Sequence, residues 1–196
     1  MKWDDDKELI EKVMAGEHEA FAEFISRYKN LVLHLVNRMI PNAADREDIG
    51  QEIFIKIYRN LGDFRFASKV STWVAKISHN TCLNYLEKKK VPLLEDIKTD
   101  DHDPAPFVER FESNGPSPLA KVEQDDRVTI LHQEIEELPV HYKTALTLFH
   151  IEEMSYAEIA EIMNLPEGTV KSYLFRARQL LRHRLLQACA EEAVWL

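Results

Sequence analysis

The sequence predicts an all-α protein of two small helical domains joined by a flexible acidic linker. Apolar residues recur at helical spacing through most of the 196 residues, and only five residues are glycine. Between about residue 91 and residue 124 this spacing is lost among prolines and acidic residues. We therefore expect an N-terminal domain over residues 1–92, a linker over 93–120 and a C-terminal domain over 121–190.

The composition is typical of an ordinary globular protein, with 45% hydrophobic and 30% charged residues. No apolar run approaches the roughly 20 residues of a membrane-spanning helix, and the N-terminus lacks the apolar core of a signal peptide. The sequence thus predicts a cytoplasmic location. Cys82 and Cys189 lie on separate predicted helices without ligand spacing, so we expect two buried thiols and no disulfide framework, metal site or cofactor.

The net charge of −9 is unevenly distributed along the chain. Residues 91–126 contain ten acidic against three basic residues, a net charge of −7, whereas residues 69–90 carry +4 and residues 168–187 carry +5. The local potential, rather than the net charge, sets the affinity for phosphates. The two basic stretches are therefore candidates for nucleic-acid binding, and the acidic remainder predicts weak DNA binding by the chain alone.

Three helices are predicted in the first sixty or so residues. The first covers residues 4–15 and ends at Gly16, and the second covers about 17–40 and ends before a Pro-Asn pair. Asp45 is the predicted cap of the third helix. The third helix has a predicted buried seam of Ile49, Ile53, Ile57 and Leu61.

The opposite face of the third helix mixes acidic with apolar groups. Its members are Asp48, Gln51, Glu52, Ile55, Tyr58 and Arg59. This mixture is more typical of a protein-binding surface than of a solvated helix. The alternative is that Ile55 and Tyr58 make a second buried contact within the domain, and the sequence does not favour either interpretation.

A fourth helix, from about Ser71 to Lys90, has a polar face opposite its buried side. The buried side is predicted to consist of Val70, Trp73, Val74, Ile77, Thr81 and Tyr85. The polar face includes Lys69, Thr72, Lys76, His79, Leu83 and Glu87, with Asn80 and Asn84 at its edge. Such groups can contact phosphates and base edges, and Phe64 and Phe66 in the preceding loop could stack on unpaired bases. A solvated helix with a basic end is the alternative.

The C-terminal domain is predicted to begin with two scaffold helices, over about residues 119–138 and from Pro139 to His150. The residues expected to be buried on them are Val122, Val128, Leu131, Ile135, Tyr142, Ala145, Leu146 and Phe149. Ser155 then caps a helix, with Glu158 in the position that completes a capping box. Asn164 suits the left-handed conformation at a tight corner, and Pro166 suits the start of the next helix. These parts form a helix-turn-helix.

The second helix of this motif is apolar on one side and basic on the other. Its apolar side consists of Val170, Leu174, Ala177, Leu181 and Leu185. Its outward strips are Lys171, Arg178 and Arg182, and next to them Ser172, Arg176, Gln179 and His183. No acidic residue occurs from 168 to 187, and Gly168 permits a close backbone approach. The pattern predicts DNA binding, and the alternative is a solvated face whose cations favour the helix dipole.

The chain resembles bacterial RNA polymerase sigma factors of the extracytoplasmic-function (ECF) group, sigma-70 family, in two separated stretches. These are DREDIGQEIFIKIYRNLGDF with STWVAKISHNTCLNYLEKKK before the linker, and LPVHYKTALTLFHIEEMSYAEIAEIMNLPEGTVKSYLFRARQLL after it. The resemblance spans nearly the whole chain. It implies a dissociable initiation subunit that binds core RNA polymerase, directs promoter-specific transcription and helps to melt DNA.

The resemblance also implies the contact residues and partners. The residues that would bind the β′ clamp helices of polymerase, whose β subunit is a further partner, are Asp48, Gln51, Glu52 and Ile55. Those that would face minus-10 DNA, with the loop 64–69 near the exposed single strand, are Lys76, His79, Asn80 and Asn84. Those that would face minus-35 DNA are Glu167, Thr169, Lys171, Ser172, Arg176 and Arg178. The acidic linker would run through the RNA-exit path, and an anti-sigma factor would regulate the chain.

We expect no enzymatic step, since the sequence lacks a phosphate-binding glycine loop and paired metal ligands. Two other functions stay open: a sigma-like decoy that sequesters an anti-sigma factor, and a stand-alone helix-turn-helix regulator. A decoy would give no promoter-specific transcript with core polymerase, whereas a regulator would bind its operator without polymerase. The sequence also leaves open whether the two domains pack together in the free protein.

Overall fold

The structure, a computed structural model, describes residues 2–89 and 130–193, with side chains over 5–89 and 130–187. Its helices are α1 (Lys2–Met14), α2 (His18–Met39), α3 (Ala43–Asn60), α4 (Val70–Lys88), α5 (Val140–His150), α6 (Tyr156–Met163) and α7 (Glu167–Ala193). A 3-10 turn spans Leu61–Asp63, and residues 130–136 are helical. Because no β-strand occurs in these ranges, the predicted all-α class is confirmed. The predicted linker, 93–120, lies outside the described residues, so the predicted domain boundaries stay predictions.

Helices α1 and α2 form a hairpin around Gly16. This residue has φ of 87°, in the left-handed region that glycine adopts at little cost, and its N–H donates to the Val13 carbonyl at 3.0 Å. Helix α2 supplies much of the N-terminal core, with Phe24, Leu35 and Val36 fully buried. The predicted end of the first helix at Gly16 is therefore confirmed.

Asn42, rather than Asp45, caps helix α3. The Asn42 side chain accepts a hydrogen bond from the Ala44 N–H at 3.1 Å. Asp45 lies in the first turn, where its carboxylate accepts a hydrogen bond from the Tyr85 hydroxyl at 2.5 Å, so the prediction of Asp45 as the cap is wrong. The predicted seam is confirmed, since its four residues from Ile49 to Leu61 are at most 4% exposed.

Helix α4 is buried on more than one side. Among its fully buried residues are Val74, Ala75 and Cys82, and the polar side chains of Thr72 and Ser78 are buried as well. The predicted burial of the Cys82 thiol is confirmed, and that burial raises its pKa to about 12. The side chain of the other cysteine, at position 189, lies outside the described side chains.

The C-terminal helices α5, α6 and α7 pack against one another around a second group of apolar side chains. The fully buried members include Ala145, Leu148, Ile159, Ile162, Val170 and Ala177. Leu131, predicted to be buried, is 37% exposed, because it points outward from the helical segment 130–136. Leu138, just after that segment, is 3% exposed and packs into the core in its place.

The two groups of helices pack together. Helix α4 packs against α6, and α2 packs against α5, so that the buried residues of both domains form one continuous apolar cluster. We call this contact the domain interface. The sequence did not decide whether the two domains pack together, and in this structure they do; we call this arrangement closed. The closed arrangement determines which parts of the predicted DNA-binding surfaces are exposed to solvent.

Candidate nucleic-acid interface

The corner between α6 and α7 is built from local hydrogen bonds. The Ser155 hydroxyl accepts from the Glu158 N–H at 3.3 Å, and the Glu158 carboxylate accepts from the Ser155 N–H at 2.9 Å. Asn164 ends α6 in the left-handed conformation, with φ of 53° and ψ of 47°. The Thr169 N–H then donates to the Pro166 carbonyl at 2.9 Å at the start of α7. The predicted capping box and helix-turn-helix are confirmed.

Helix α7 buries its predicted apolar side and exposes its basic one. Val170, Leu174 and Ala177 are at most 1% exposed. Of the predicted minus-35 residues, the exposed ones are Glu167, Lys171, Ser172 and Arg178, and the half-buried ones are Thr169 and Arg176. The structure brings all six onto one accessible helix, and their contact with DNA stays a prediction.

Two cations of this basic face lie over aromatic rings of the same domain. The Lys171 ammonium is 5.5 Å from the centre of the Tyr156 ring, and the Arg178 guanidinium is 5.5 Å from that of Phe149. Arg178 also donates to the His150 Nε2 at 3.2 Å. Burial and then the charge of Arg178 lower the pKa of His150, which favours the neutral ring that can accept this bond. These contacts hold positive charge at the exposed surface.

Gly168 lies in the first turn of α7, where packing does not require a glycine. A Cβ atom there would meet no heavy atom within 4 Å, and the residue is exposed. Glycine in a helix is less stable than alanine by roughly 0.5–1 kcal/mol. Packing among the described residues does not explain this cost. The close approach of DNA to the backbone at Gly168, which the sequence predicts, would explain why the residue is glycine.

The first half of the α4 polar face contacts α6, with Thr72 buried and the Lys69 and Lys76 side chains 56% and 42% exposed. The Lys69 Nζ is 2.8 Å from the Glu158 carboxylate, and the Thr72 hydroxyl donates to the same carboxylate at 3.4 Å. One turn further on, the Lys76 Nζ is 3.5 Å from Glu161. Two acidic residues of the helix-turn-helix therefore bind the groups that the sequence assigned to a nucleic-acid surface.

His79 lies at the same interface and is only 2% exposed. Among the described residues, neither ring nitrogen has a hydrogen-bond partner. Burial, with a smaller electrostatic effect of His141, lowers its pKa to about 4, and the Asn80 side chain weakly opposes this. Asn80 and Asn84 are exposed. The predicted minus-10 residues thus fall into two environments, with Lys76 and His79 at the domain interface and the two asparagines in solvent.

Acidification is expected to open the domain interface. The pKa of His79 is about 4 in the closed arrangement, whereas a histidine in water titrates near 6.5. The closed form is thus favoured above about pH 6.5 and loses stability as the pH falls, because only the open form readily takes up the proton. At about pH 5.5 the open form should gain roughly tenfold in the equilibrium. Small-angle X-ray scattering should show a larger radius of gyration there than at about pH 7.5.

The variant His79→Gln is the control for this pH dependence, since its side chain does not titrate. The other titratable groups at the interface are His34, Arg38, Lys69, Lys76, His132, Glu136, His141, Lys143, Glu152, Glu158 and Glu161. Their effects are common to both proteins, so the difference between the two pH profiles isolates His79. Identical profiles for wild type and variant would show that His79 does not control the opening.

A second set of polar contacts joins α2 to the C-terminal domain. The His34 Nδ1 lies 2.5 Å from the Glu152 carboxylate. Arg38 pairs with Glu136, and its guanidinium also lies 3.4 Å from the His132 Nδ1. The interface is therefore polar at two separate places, one on α2 and one on α4.

The aromatic loop before α4 is partly folded into the core. Phe64 is 9% exposed, and its ring centre lies 4.8 Å from that of Phe66 and 4.9 Å from that of Trp73. Phe64 therefore cannot offer its ring to a base here, contrary to the expectation from the sequence. Phe66 is half-buried and has φ of 55°, an uncommon conformation that costs on the order of 1 kcal/mol or more and often marks functional sites.

The outward face of α3 borders an apolar groove of about 770 Å³ between α2 and α3. Ile55 and Tyr58 are 51% and 50% exposed, and Leu33 across the groove is 46% exposed. Asp48, Gln51 and Glu52 are exposed along the same helix. The Tyr58 ring contacts that of Phe21 edge-on at 4.8 Å yet stays half exposed. The suggested second buried contact for Ile55 is not found among the described residues, which leaves an apolar and acidic surface open.

Sequence reasoning missed Glu158 and Glu161 as partners of α4. Their spacing of three residues places both on one face of α6, but nothing in the sequence relates that face to residues 69–76. Within the described ranges, no group of three or more His, Cys, Asp or Glu side chains could hold a metal ion. The helices described here also include none that is long and apolar enough to cross a membrane.

Comparison with known proteins gives a family match in each domain. The family model for sigma-70 region 2 matches residues 24–91, which contain α3 and α4, and that for sigma-70 region 4 matches residues 129–181, which contain the helix-turn-helix. The chain is 36% identical to the RNA polymerase sigma-H factor of Pseudomonas aeruginosa, over 96% of this chain and 97% of that protein. It is 34% identical to the ECF RNA polymerase sigma factor SigW of Bacillus subtilis, over 91% and 96% of the two chains.

The chain belongs to the ECF group of the sigma-70 family. The ECF RNA polymerase sigma-E factor of Escherichia coli is also 36% identical, over 92% of this chain and 94% of that one. As an ECF sigma factor, the protein directs transcription initiation by RNA polymerase. The resemblance inferred from the two sequence stretches is thereby confirmed.

Two solved structures share the fold of this ECF sigma factor. CnrH in complex with the cytosolic domain of CnrY has a TM-score of 0.60 at 20% identity, covering 93% of this chain and 97% of that chain. The sigma factor RpoE of Bartonella quintana, in complex with the anti-sigma factor NepR, has a TM-score of 0.61 at 18% identity, covering 84% and 96%. At these identities the likeness supports the two-domain helical fold and nothing finer.

Proposed function

We propose that this sigma factor binds core RNA polymerase through α3, the minus-10 element through α4 and the minus-35 element through α7. The observation that carries the proposal is that one chain contains both region 2 and region 4 of the sigma-70 family. Region 2 has an open apolar groove, and region 4 has an exposed basic helix. Polymerase brings both modules to one promoter, which offsets the weak DNA affinity expected of a chain with net charge −9.

The polymerase contact is a helix-in-groove contact on α3. The half-exposed Ile55 supplies an apolar anchor next to the groove, and Asp48 and Glu52 supply negative charge beside it. Gln51 adds a neutral donor and acceptor on the same face. This combination suits a basic, amphipathic helical partner, which we propose to be the β′ clamp helices. The β subunit is a second polymerase partner.

The minus-35 contact is made by the first three turns of α7 in the major groove. Thr169, Ser172 and Arg176 offer groups that can reach base edges, whereas Lys171 and Arg178 are placed to meet phosphates. Glu167 can accept a hydrogen bond from a cytosine amino group. Gly168 lets the backbone at the helix N-terminus approach the DNA.

Arg176→Ala is expected to remove much of the preference for a minus-35 sequence. A side chain that pairs with a base edge contributes about 1–3 kcal/mol of discrimination, equivalent to roughly 5- to 150-fold. The measurement is transcription by the reconstituted holoenzyme from one promoter with its minus-35 element intact or scrambled. The amount of transcript from the intact template, divided by the amount from the scrambled template, should fall towards one.

Arg184→Ala is the matched control for that variant. Arg184 lies two turns further along α7, beyond the turns that are proposed to contact DNA, and it pairs with Glu134 at 3.6 Å. Its replacement by alanine therefore removes the same charge from a position outside the proposed contact. We expect the intact-to-scrambled ratio to stay near that of the wild type. A change of equal size in both variants would mean that charge alone, and not Arg176, carries the preference.

The minus-10 contact is proposed to capture unpaired bases. Asn80 and Asn84 are exposed and can pair with base edges, and the half-buried Phe66 lies in the preceding loop. Capturing a base is worth about 1–3 kcal/mol, comparable with opening a weak base-pair step. Lys76 and His79 join this surface once the domains separate. The sigma factor itself makes no covalent step, and polymerase performs the catalysis.

We also propose an anti-sigma factor as a partner and the cytoplasm as the site of action. The likeness to the fold of RpoE, solved in complex with the anti-sigma factor NepR, supports the first proposal. The role in transcription initiation supports the second, because the polymerase works on promoter DNA in the cytoplasm. The acidic stretch over 93–120 would follow the RNA-exit path, where its charge resembles that of nucleic acid.

Transcription with purified core polymerase on a genomic fragment library tests the proposal. Adding the sigma factor should produce transcripts from a small set of start sites that core polymerase alone does not use. A decoy that only sequesters a regulator would produce none. A stand-alone regulator would instead shift specific fragments in a gel without polymerase, and either result would replace the proposed function.

A further inference from the structure

Two aromatic side chains of the C-terminal domain form a stacked pair next to the basic face of α7. Phe149 is the second-last residue of α5 and Tyr156 is the first residue of α6. Their ring centres are 5.1 Å apart, and the angle between the ring planes is 13°. Both side chains pack against the apolar cluster but are only half-buried. We call these two residues the aromatic pair, and part of each ring is available to side chains of α7.

Each ring of the aromatic pair has one cation of α7 over it. The Lys171 Nζ is 5.5 Å from the centre of the Tyr156 ring, and the Arg178 guanidinium carbon is 5.5 Å from the centre of the Phe149 ring. At such distances the negative face of a ring attracts a cation. Lys171 and Arg178 are seven residues apart, close to two helical turns, so they lie on the same face of α7. The four side chains thus form one continuous contact that joins α7 to α5 and α6.

The aromatic pair holds these two cations without neutralising them. Among the described residues, no carboxylate lies within 4 Å of the charged group of Lys171 or of Arg178, whereas Arg184 on the same helix pairs with Glu134 at 3.6 Å. An aromatic ring attracts a cation through its quadrupole and carries no net charge. The positive charge of both side chains is therefore fully available to phosphates.

Tyr156 also draws Lys171 away from an acidic residue of α7. Glu167 precedes Lys171 by four residues, the spacing at which a Glu–Lys pair stabilises a helix. Here the two side chains form no ion pair, and the ammonium lies over the Tyr156 ring instead. Both groups are left free for DNA, since Lys171 can meet a phosphate and Glu167 can accept from a cytosine amino group.

His150 gives Arg178 a second fixed contact. Arg178 donates to the His150 Nε2 at 3.2 Å. The His150 ring meets the Phe149 ring edge-on, with centres 5.0 Å apart and an angle of 86° between the planes. Because burial and the charge of Arg178 lower the pKa of His150, its ring is a neutral acceptor at pH values above 7. The guanidinium is thus held on one face and at one nitrogen, and its other N–H groups are available.

We propose that the aromatic pair positions Lys171 and Arg178 for the phosphates of minus-35 DNA before the DNA binds. This inference rests on the proposed function of α7. Lysine and arginine are among the side chains that lose most conformational freedom when ordered, and ordering one of them at an interface lowers affinity about two- to tenfold. Phe149 and Tyr156 order them already in the free protein. They are positioning residues, which act through the two cations rather than by touching DNA.

The affinity of the reconstituted holoenzyme for a promoter fragment at which it initiates tests the positioning, with fluorescence anisotropy at about pH 7.5 as the measurement. Tyr156→Leu and Phe149→Leu should each weaken binding about two- to tenfold, because the cation is kept but no longer restrained. Tyr156→Phe and Phe149→Tyr keep a ring and should bind within about twofold of wild type. The control is Tyr142→Leu, at a half-buried ring of α5 over which no described cation lies, and it should also stay within about twofold.

Two double-mutant cycles distinguish positioning from a general effect on the fold. In a Lys171→Gln background, Tyr156→Leu should have no further effect on affinity, because the cation through which the ring acts is gone. Phe149→Leu should likewise have none in an Arg178→Gln background. A loss of stability would instead lower the affinity by the same factor with and without the cation. Such equal factors, or wild-type affinity for both leucine variants, would overturn the positioning.

Circular dichroism of each free variant checks the fold. Where a leucine variant misfolds, methionine, whose flexible side chain fills irregular space, takes its place in the same cycle, and the same outcomes apply.

The single variants Lys171→Gln and Arg178→Gln separate this inference from the proposed function. Each should weaken promoter binding and reduce the slope of log affinity against log salt concentration by about one phosphate contact. If neither does, the proposed phosphate contacts of α7 are wrong, and the positioning falls with them. If both do while the two cycles show no coupling, the positioning alone is wrong.

Discussion

Ile55→Asp is expected to weaken binding to core RNA polymerase by at least about 30-fold while leaving the fold intact. A few residues at the centre of a protein interface each contribute 2 kcal/mol or more, about 30-fold, and we expect Ile55 to be one of them; a buried unpaired carboxylate adds to the loss. Because Ile55 is 51% exposed in the free protein, its replacement removes little of the core. Competition against labelled wild-type protein for a limiting amount of core polymerase measures the change.

Leu186→Asp is the matched control for this prediction. Leu186 is 63% exposed on α7, in the other domain, and the substitution introduces the same carboxylate in place of an aliphatic side chain of the same size. We expect its polymerase affinity to stay within about threefold of wild type, as is usual for a surface position outside the interface. Wild-type affinity for Ile55→Asp, with the control also unchanged, would show that polymerase binds elsewhere.

Ile159→Ala is expected to lower the free energy of unfolding by about 2–5 kcal/mol. Ile159 on α6 is fully buried in the apolar cluster that also contains Val170 and Leu174 of α7, so its truncation leaves a cavity in that cluster. Urea unfolding followed by circular dichroism measures the loss. We also expect weaker minus-35 recognition, because α7 is oriented by its packing on α6.

The corresponding control is Leu186→Ala, which removes a similar number of atoms from an exposed site. Its effect should stay within about 0.5 kcal/mol. A decrease of less than about 1 kcal/mol in the free energy of unfolding of Ile159→Ala would mean that the core around α6 rearranges to fill the cavity. It would then contradict the view that close packing sets the orientation of the recognition helix.

The helices of both domains can be predicted from sequence because their signals are local. The isoleucines of α3 recur every four residues, and the structure buries them as that spacing requires. The capping box of Ser155 and Glu158 and the left-handed Asn164 are likewise set by neighbours in the chain. The same holds for the basic residues of α7, whose helical spacing places them away from the buried apolar side of that helix.

The domain interface cannot be predicted in this way. Lys76 and Glu161 are 85 residues apart in sequence, and neither the spacing nor the residue types indicate that they meet. His79 illustrates the consequence, since its polar neighbours on α4 predict an exposed face, whereas the residue is 2% exposed in the folded protein. The placement of the minus-10 residues therefore depends on tertiary contacts that have no local signal.

Smaller differences have the same origin. Asn42 and Asp45 are both good helix caps three residues apart, and the contact of Asp45 with Tyr85, 40 residues away, favours Asn42 as the cap. The aromatic side chain of Phe64 is of a type that can stack on bases, but it packs against Trp73 and Phe66 in the core. In each case the residue type fits two roles, and packing with distant residues decides between them.

Sedimentation velocity of the purified protein mixed with core RNA polymerase tests the central claim most directly, which is that a larger enzyme holds these two helical domains on a promoter. We expect the protein to sediment with polymerase as a complex of one chain per core enzyme. Persistence of the free boundary in the presence of excess polymerase would contradict the account.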